Sequence, residues 1–308
     1  MKRTTMRRFL PPTVMLGIIL FTSFVAKGAV DDTTTEVPFS IENGHVIVQA
    51  RIKNSVPVEV LVSTGRQHSS IDIGLTKKYG LQEGYAGEPP VTGHNDRVYF
   101  FSVVPDVRVG EVKVSSLSMR LVSLSEISKA VGREIFGVIG ADFFKGRVVQ
   151  FDFNKKVLRF LSQSASDASK NKKAGTDKNG PIVLRMTGDT DQYENITVPV
   201  VEDVSFDGKR VKVLLDTGAL MAVGISSSSA KKLGFTSPPE KSAPGSGKIG
   251  SVHLAAYELT DVPVVISSKG TTLDQELSGH GIVLGIAILK NFVVTFDFRS
   301  KIVVIEFI

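Results

Sequence analysis

Short apolar runs rich in valine, isoleucine and phenylalanine recur along the chain, separated by glycine, serine and aspartate. Runs of this kind, bounded by turn residues, predict strands. Two of them enter the same kind of polar turn: VLVSTGRQ (Val60–Gln67) and VLLDTGAL (Val213–Leu220). The match extends without a gap to SVPVEVLVSTG (Ser55–Gly65) and GKRVKVLLDTG (Gly208–Gly218). Each turn leads through a polar segment into an amphipathic stretch, LTKKYGL (Leu75–Leu81) or SSAKKLGF (Ser228–Phe235). Lysines followed by glycine predict a helix C-terminus there, with cations in the last turn and glycine past the end.

A second match closes each half. GVIGADFFKGRVVQFDFNKKVLRF (Gly137–Phe160) pairs with IVLGIAILKNFVVTFDFRSKIVVIEF (Ile282–Phe307). Gly140 precedes Asp152 by 12 residues, and Gly285 precedes Asp297 by the same 12. Asp152-Phe153-Asn154-Lys155 and Asp297-Phe298-Arg299-Ser300 suit hairpin turns. Matched beginnings and ends in the same order predict two homologous β-rich lobes, 38–161 and 181–308. Between them, the polar, Lys-rich segment 162–180 reads as a linker.

The chain has 308 residues, enough for two such lobes, and a formal net charge of +6. Five of its 37 basic residues and none of its 31 acids fall in residues 1–28, so the rest carries about +1. That balance argues against nucleic acid as a partner. Residues 1–28 have the anatomy of a signal peptide: a basic start, the apolar run Thr13–Ala26, then small residues. The run is shorter than a spanning helix needs, so contact with a membrane is expected only before cleavage. The chain lacks cysteine, which excludes disulfides, thiol nucleophiles and lipoprotein attachment. An exported protein, periplasmic or extracellular, is the expectation.

The DTGA turn (Asp216–Ala219), its counterpart STGR (Ser63–Arg66), and the closing segments at Val138-Ile139-Gly140 and Val283-Leu284-Gly285 together resemble the aspartic peptidases. The resemblance is to the retropepsin-like branch and its bacterial relatives, and it covers nearly the whole chain after the signal segment. It implies a mainly β, bilobal acid-protease fold: two homologous β-barrel-like lobes with short helices, arranged as in a pepsin-type single chain. It also implies a peptide or protein ligand in an interlobe cleft, with no cofactor and no metal. In the family each lobe supplies one carboxylate, and two carboxylates about 3 Å apart share one proton. The ionised partner activates water, and the protonated one polarises the scissile carbonyl. By this resemblance Asp216 is catalytic, Thr64 and Thr217 brace the turns, and Gly65 and Gly218 shape them.

The chain departs from the family at Ser63, where the second acid belongs. A hydroxyl cannot hold the shared proton; it only hydrogen-bonds water or Asp216. Arg66 stands where the other turn has Ala219, and an Arg66 that reached Asp216 would favour its charged form. Three readings follow. One is a peptidase in which Asp216 works weakly alone, or pairs with a second Asp216 in a homodimer of C-terminal lobes. Another is a pseudopeptidase that binds peptides without cleaving them. The third is an envelope interaction module. Hairpin flaps over the cleft are expected in Pro89–Phe101 and Ala243–Ala255, with His94, Tyr99 and Gly247 as candidate contacts.

Other signals fail on their own terms. GSGKIG (Gly245–Gly250) lacks the flanking residues of a phosphate loop. The five histidines show no metal-binding pattern. Ser63 with His68 lacks a nucleophile elbow and an oxyanion-hole signature. Asn195-Ile196-Thr197 is a glycosylation sequon, relevant only in a eukaryotic secretory pathway.

Overall fold

The computed structural model describes residues 34–52, 57–81, 84–85, 100–162, 180–188 and 196–308, with backbone alone at 84–85. The expected signal segment, nearly all of the expected linker, His94, Tyr99 and Asn195 lie outside the described residues. The first half contains β1 (Thr35–Glu42), β2 (His45–Ile52), β3 (Val58–Val62), β4 (Ser70–Asp72), β5 (Gly84–Tyr85) and β6 (Phe100–Val109). It continues with β7 (Val112–Val122), α1 (Ser125–Val131), β8 (Gly137–Ile139), α2 (Ala141–Phe144), β9 (Val148–Asp152) and β10 (Val157–Phe160). The second half contains β11 (Ile182–Arg185), β12 (Val200–Phe206), β13 (Lys209–Asp216), β14 (Val223–Ile225), α3 (Ser227–Leu233) and β15 (Gly245–Leu254). After these come β16 (Tyr257–Ile266), α4 (Thr272–Ser278), β17 (Ile282–Gly285), α5 (Ile286–Leu289), β18 (Phe292–Asp297) and β19 (Ile302–Phe307).

The protein is mainly β. Alternation sets how its strands face: in β2, Val48, Ala50 and Ile52 are buried while Gln49 and Arg51 are exposed. Six strands close a barrel in each half. In the first the ring runs β2-β3-β8-β4-β7-β6 and shuts through β2–β6. In the second it runs β12-β13-β17-β14-β16-β15 and shuts through β12–β15. Element for element, the two rings follow the same order, so the sequence repeat is also a repeat of topology.

Both aspartate turns form the expected hairpins. Asp152 Oδ1 accepts from Lys155 N–H, and Asp297 Oδ1 accepts from Arg299 and Ser300 N–H. These hairpins also join the lobes. β9 pairs antiparallel with β18, Phe151 opposite Val294 and Gln150 opposite Thr295, within a run of strands β11-β19-β18-β9-β10-β1. Phe143, Phe144, Phe151 and Phe296 are fully buried beside this seam.

The second amphipathic stretch is α3. Ser226 caps it by accepting from Ser229 N–H, Lys231 and Lys232 lie in the last turn, and Gly234 takes a left-handed φ of 87°. The first stretch differs: Ile73–Leu75 is only a turn of 3₁₀ helix, followed by hydrogen-bonded turns to Leu81. Its opening carries Gly74, a poor helix former, at the position where α3 has Ser228. No helix among the described residues is long and apolar enough to cross a membrane.

Candidate active site at the lobe boundary

Each polar turn leaves the end of a parallel strand pair. β3 runs beside β8, Val62 opposite Ile139, and β13 runs beside β17, Asp216 opposite Gly285. The closing glycines make room for the turns. A Cβ on Gly140 would lie 2.6 Å from Arg66 O, and one on Gly285 would lie 2.3 Å from both Ala219 O and Met221 O. The next residues then lock the turns: Ala141 N–H donates to Arg66 O and Ile286 N–H to Ala219 O, both at 2.8 Å.

The two turns meet face to face. Thr64 and Thr217 are both fully buried. Thr64 Oγ1 donates to Leu215 O (2.9 Å) and accepts from Thr217 N–H (3.1 Å). Reciprocally, Thr217 Oγ1 donates to Val62 O (3.3 Å) and accepts from Thr64 N–H (3.2 Å). Four cross-lobe hydrogen bonds thus satisfy backbone groups that would otherwise be buried without partners. Replacing Thr217 with valine keeps the shape but strands Val62 O and Thr64 N–H. The expected loss is about 2–3 kcal/mol of stability in urea unfolding followed by circular dichroism. The double variant with Thr64→Val should show strong non-additivity, because both side chains serve one network.

The brace brings Ser63 and Asp216 together. Ser63 Oγ donates to Asp216 Oδ1 at 2.8 Å and accepts from Arg66 N–H at 3.2 Å. The same Oδ1 accepts from Gly218 N–H (2.7 Å) and Gly65 N–H (3.0 Å). Ser63 is buried and Asp216 half-buried. Each glycine lies against the opposite lobe: a Cβ on Gly65 would come within 2.6 Å of Asp216 Cβ and Cγ, and one on Gly218 within 2.6 Å of Ser63 Cβ. Among the described residues the centre therefore holds one carboxyl group, that of Asp216, which can accept a proton from water, and no second acid to donate one.

Arg66 does not engage that carboxylate. Its guanidinium donates to Ser70 Oγ at 3.3 Å, within its own turn. Gly247 belongs to the β15–β16 hairpin. It lies inside β15 opposite Val264, and the hairpin turns at Ala255, whose φ is 51°. No interaction shown among the described residues links Gly247 to the Ser63–Asp216 pair. Among those residues no group of three or more His, Asp or Glu is placed to hold a metal ion.

Two participants were not singled out from sequence. Leu220, 44% exposed, follows the DTGA turn and meets the β1–β2 turn of the other lobe. Gly44 there has φ 84°, and a Cβ on it would lie 3.2 Å from Leu220 Cδ2. The second is Asp142, which anchors the far end of the Ser63 turn. Its carboxylate accepts from Ser69 N–H (2.7 Å), Ser69 Oγ (2.5 Å) and Phe143 N–H (2.8 Å). The signal was an acid inside the apolar segment ADFF, at the position where the repeat has Ala287.

Burial pushes the Asp142 carboxyl up to about 6, with the three donors holding back a larger rise. A carboxyl that binds its proton more tightly when folded stabilises most below its unfolded value, near 4. That contribution, about 3 kcal/mol, is lost as pH rises from about 4 to about 6. Asp142→Asn should flatten the pH dependence of the urea midpoint across that window, while the parent protein loses stability through it.

Comparison of the chain with protein-family models finds none that matches, and comparison with curated proteins finds no significant match.

Proposed function

We propose that this chain is an aspartic-peptidase-like protein that binds extended peptides between its lobes, with hydrolysis absent or confined to weak, Asp216-dependent activity. One observation carries the reading: Ser63 and Asp216 stand 2.8 Å apart at the meeting point of two braced turns. The identical ring order of the barrels and the equivalent closing glycines support it. Ser63 supplies no second acid, so the proton-sharing step of the family has no counterpart here. Pairing with a second Asp216 from another chain has no place in this reading, because Thr217 is already hydrogen-bonded to Thr64 of its own chain. Export to the periplasm or outside the cell accompanies the proposal, from the basic and apolar N-terminus.

The test is a peptide library offered to the protein and to Asp216→Asn over about pH 3–7, a range spanning the titration of paired carboxyls. Binding is read by fluorescence polarisation and cleavage by mass spectrometry, with and without pepstatin. Peptide binding with little or no cleavage is expected. Absence of both in the parent protein would reject the proposal in favour of an envelope interaction module.

A further inference from the structure

We propose that the Ser63–Asp216 centre recognises a protonated primary amine presented by a bound peptide. The inference rests on the reading of the interlobe region as a peptide site, and it adds what that site selects.

The argument is the hydrogen-bond polarity of the centre. The single hydroxyl hydrogen of Ser63 goes to Asp216 Oδ1, and its oxygen already receives Arg66 N–H. Gly65 and Gly218 direct both their N–H groups to the same Oδ1. Every hydrogen bond to Asp216 from the described residues ends on Oδ1; none reaches Oδ2. That oxygen lies beside Gly65, where a Cβ would come within 2.8 Å of it, so the absence of a side chain there keeps it uncovered. The donors of the centre are consumed internally, and what remains is a carboxylate oxygen.

Such a centre opposes a peptide carbonyl, which would set acceptor against acceptor. A hydroxyl group offers one donor. A primary ammonium offers three donors and the complementary charge, and charge-assisted bonds are about twice as strong as neutral ones. No ion pair among the described residues engages Asp216. Arg66, the one cationic side chain of the two turns apart from titratable His68, donates its guanidinium to Ser70. The His68 ring stands edge-on to Phe101 at 5.7 Å. Leu220, exposed on the Asp216 turn, offers apolar surface for an aliphatic stem.

Both a lysine side chain and a free peptide N-terminus carry this group, and four versions of one amidated hexapeptide separate them. Its N-terminus is free or acetylated, and its central residue is lysine or Nε-acetyl-lysine. Binding to the parent protein is measured by fluorescence polarisation at low salt. Acetylating one of the two amines is expected to weaken binding by roughly tenfold or more, and the sensitive position identifies the source. Asp216→Asn should abolish that difference. Equal affinities for all four peptides would overturn the amine site while leaving the peptide cleft intact. No binding by any of them would overturn both. A preference that persists in correctly folded Asp216→Asn would assign it to diffuse surface charge and also overturn the proposal. The acetylation comparison uses the unaltered chain, so it stands even if the variant fails to fold.

Discussion

Ser63→Asp is expected to create or raise pepstatin-sensitive peptide hydrolysis by about 10²–10⁴-fold, the usual worth of a positioned acid–base group. The expectation follows from how the two turns are packed. Gly65 gives Asp216 its space, and Gly218 stands in the same relation to Ser63. The first turn thus keeps the slot that holds an aspartate in the second. The Thr64–Thr217 bonds fix the separation of the two positions without help from Ser63. An aspartate there would lie close enough to Asp216 for the pair to retain one proton, restoring the donor that the centre lacks. The measurement is kcat/KM on the best-binding library peptide, with the double variant Ser63→Asp, Asp216→Asn as the baseline. Unchanged hydrolysis in a protein with native circular dichroism would count against a two-carboxylate site at these turns.

Gly285→Ala should be the most damaging single methyl group in the second lobe, costing about 4 kcal/mol or more, or preventing folding. Its Cβ would sit 2.3 Å from two backbone carbonyl oxygens, those of Ala219 and Met221. Neither can swing aside as a side chain does, because both belong to the turn that carries Asp216. Gly285 N–H also donates to Ala222 O at 2.9 Å, so relieving the clash breaks the lock between β17 and that turn. Urea unfolding checks this, and a loss under about 1 kcal/mol would contradict so close an approach.

Much of this architecture was legible because the chain states it twice. The alignment of Val60–Gln67 with Val213–Leu220 placed Ser63 opposite Asp216 before any coordinates. The 12-residue spacing from Gly140 to Asp152, repeated from Gly285 to Asp297, located both closing strands. The pairing of β9 with β18 was not legible, since a strand's sequence does not name its neighbour when both candidates are equally apolar. Gly247, expected on a hairpin flap, lies in the β15 arm of the β15–β16 hairpin, whose turn is made by Ala255 at positive φ. Asp142 escaped notice because repeat matching favours what the halves share, and this acid has no counterpart. Where the Arg66 guanidinium would reach was not legible either; the Ser70 hydroxyl holds it.

The seam formed by β9 and β18 has a bearing on how such a protein evolves. It is made of backbone hydrogen bonds, buried rings and a Gln150–Thr295 side-chain bond, and neither Ser63 nor Asp216 takes part in it. The residues of this seam are thus distinct from the Ser63–Asp216 pair, although the site turns also bond across the lobes. A change at position 63 therefore leaves the β9–β18 pairing itself untouched. Residue 63 is then free to vary without a penalty at this seam.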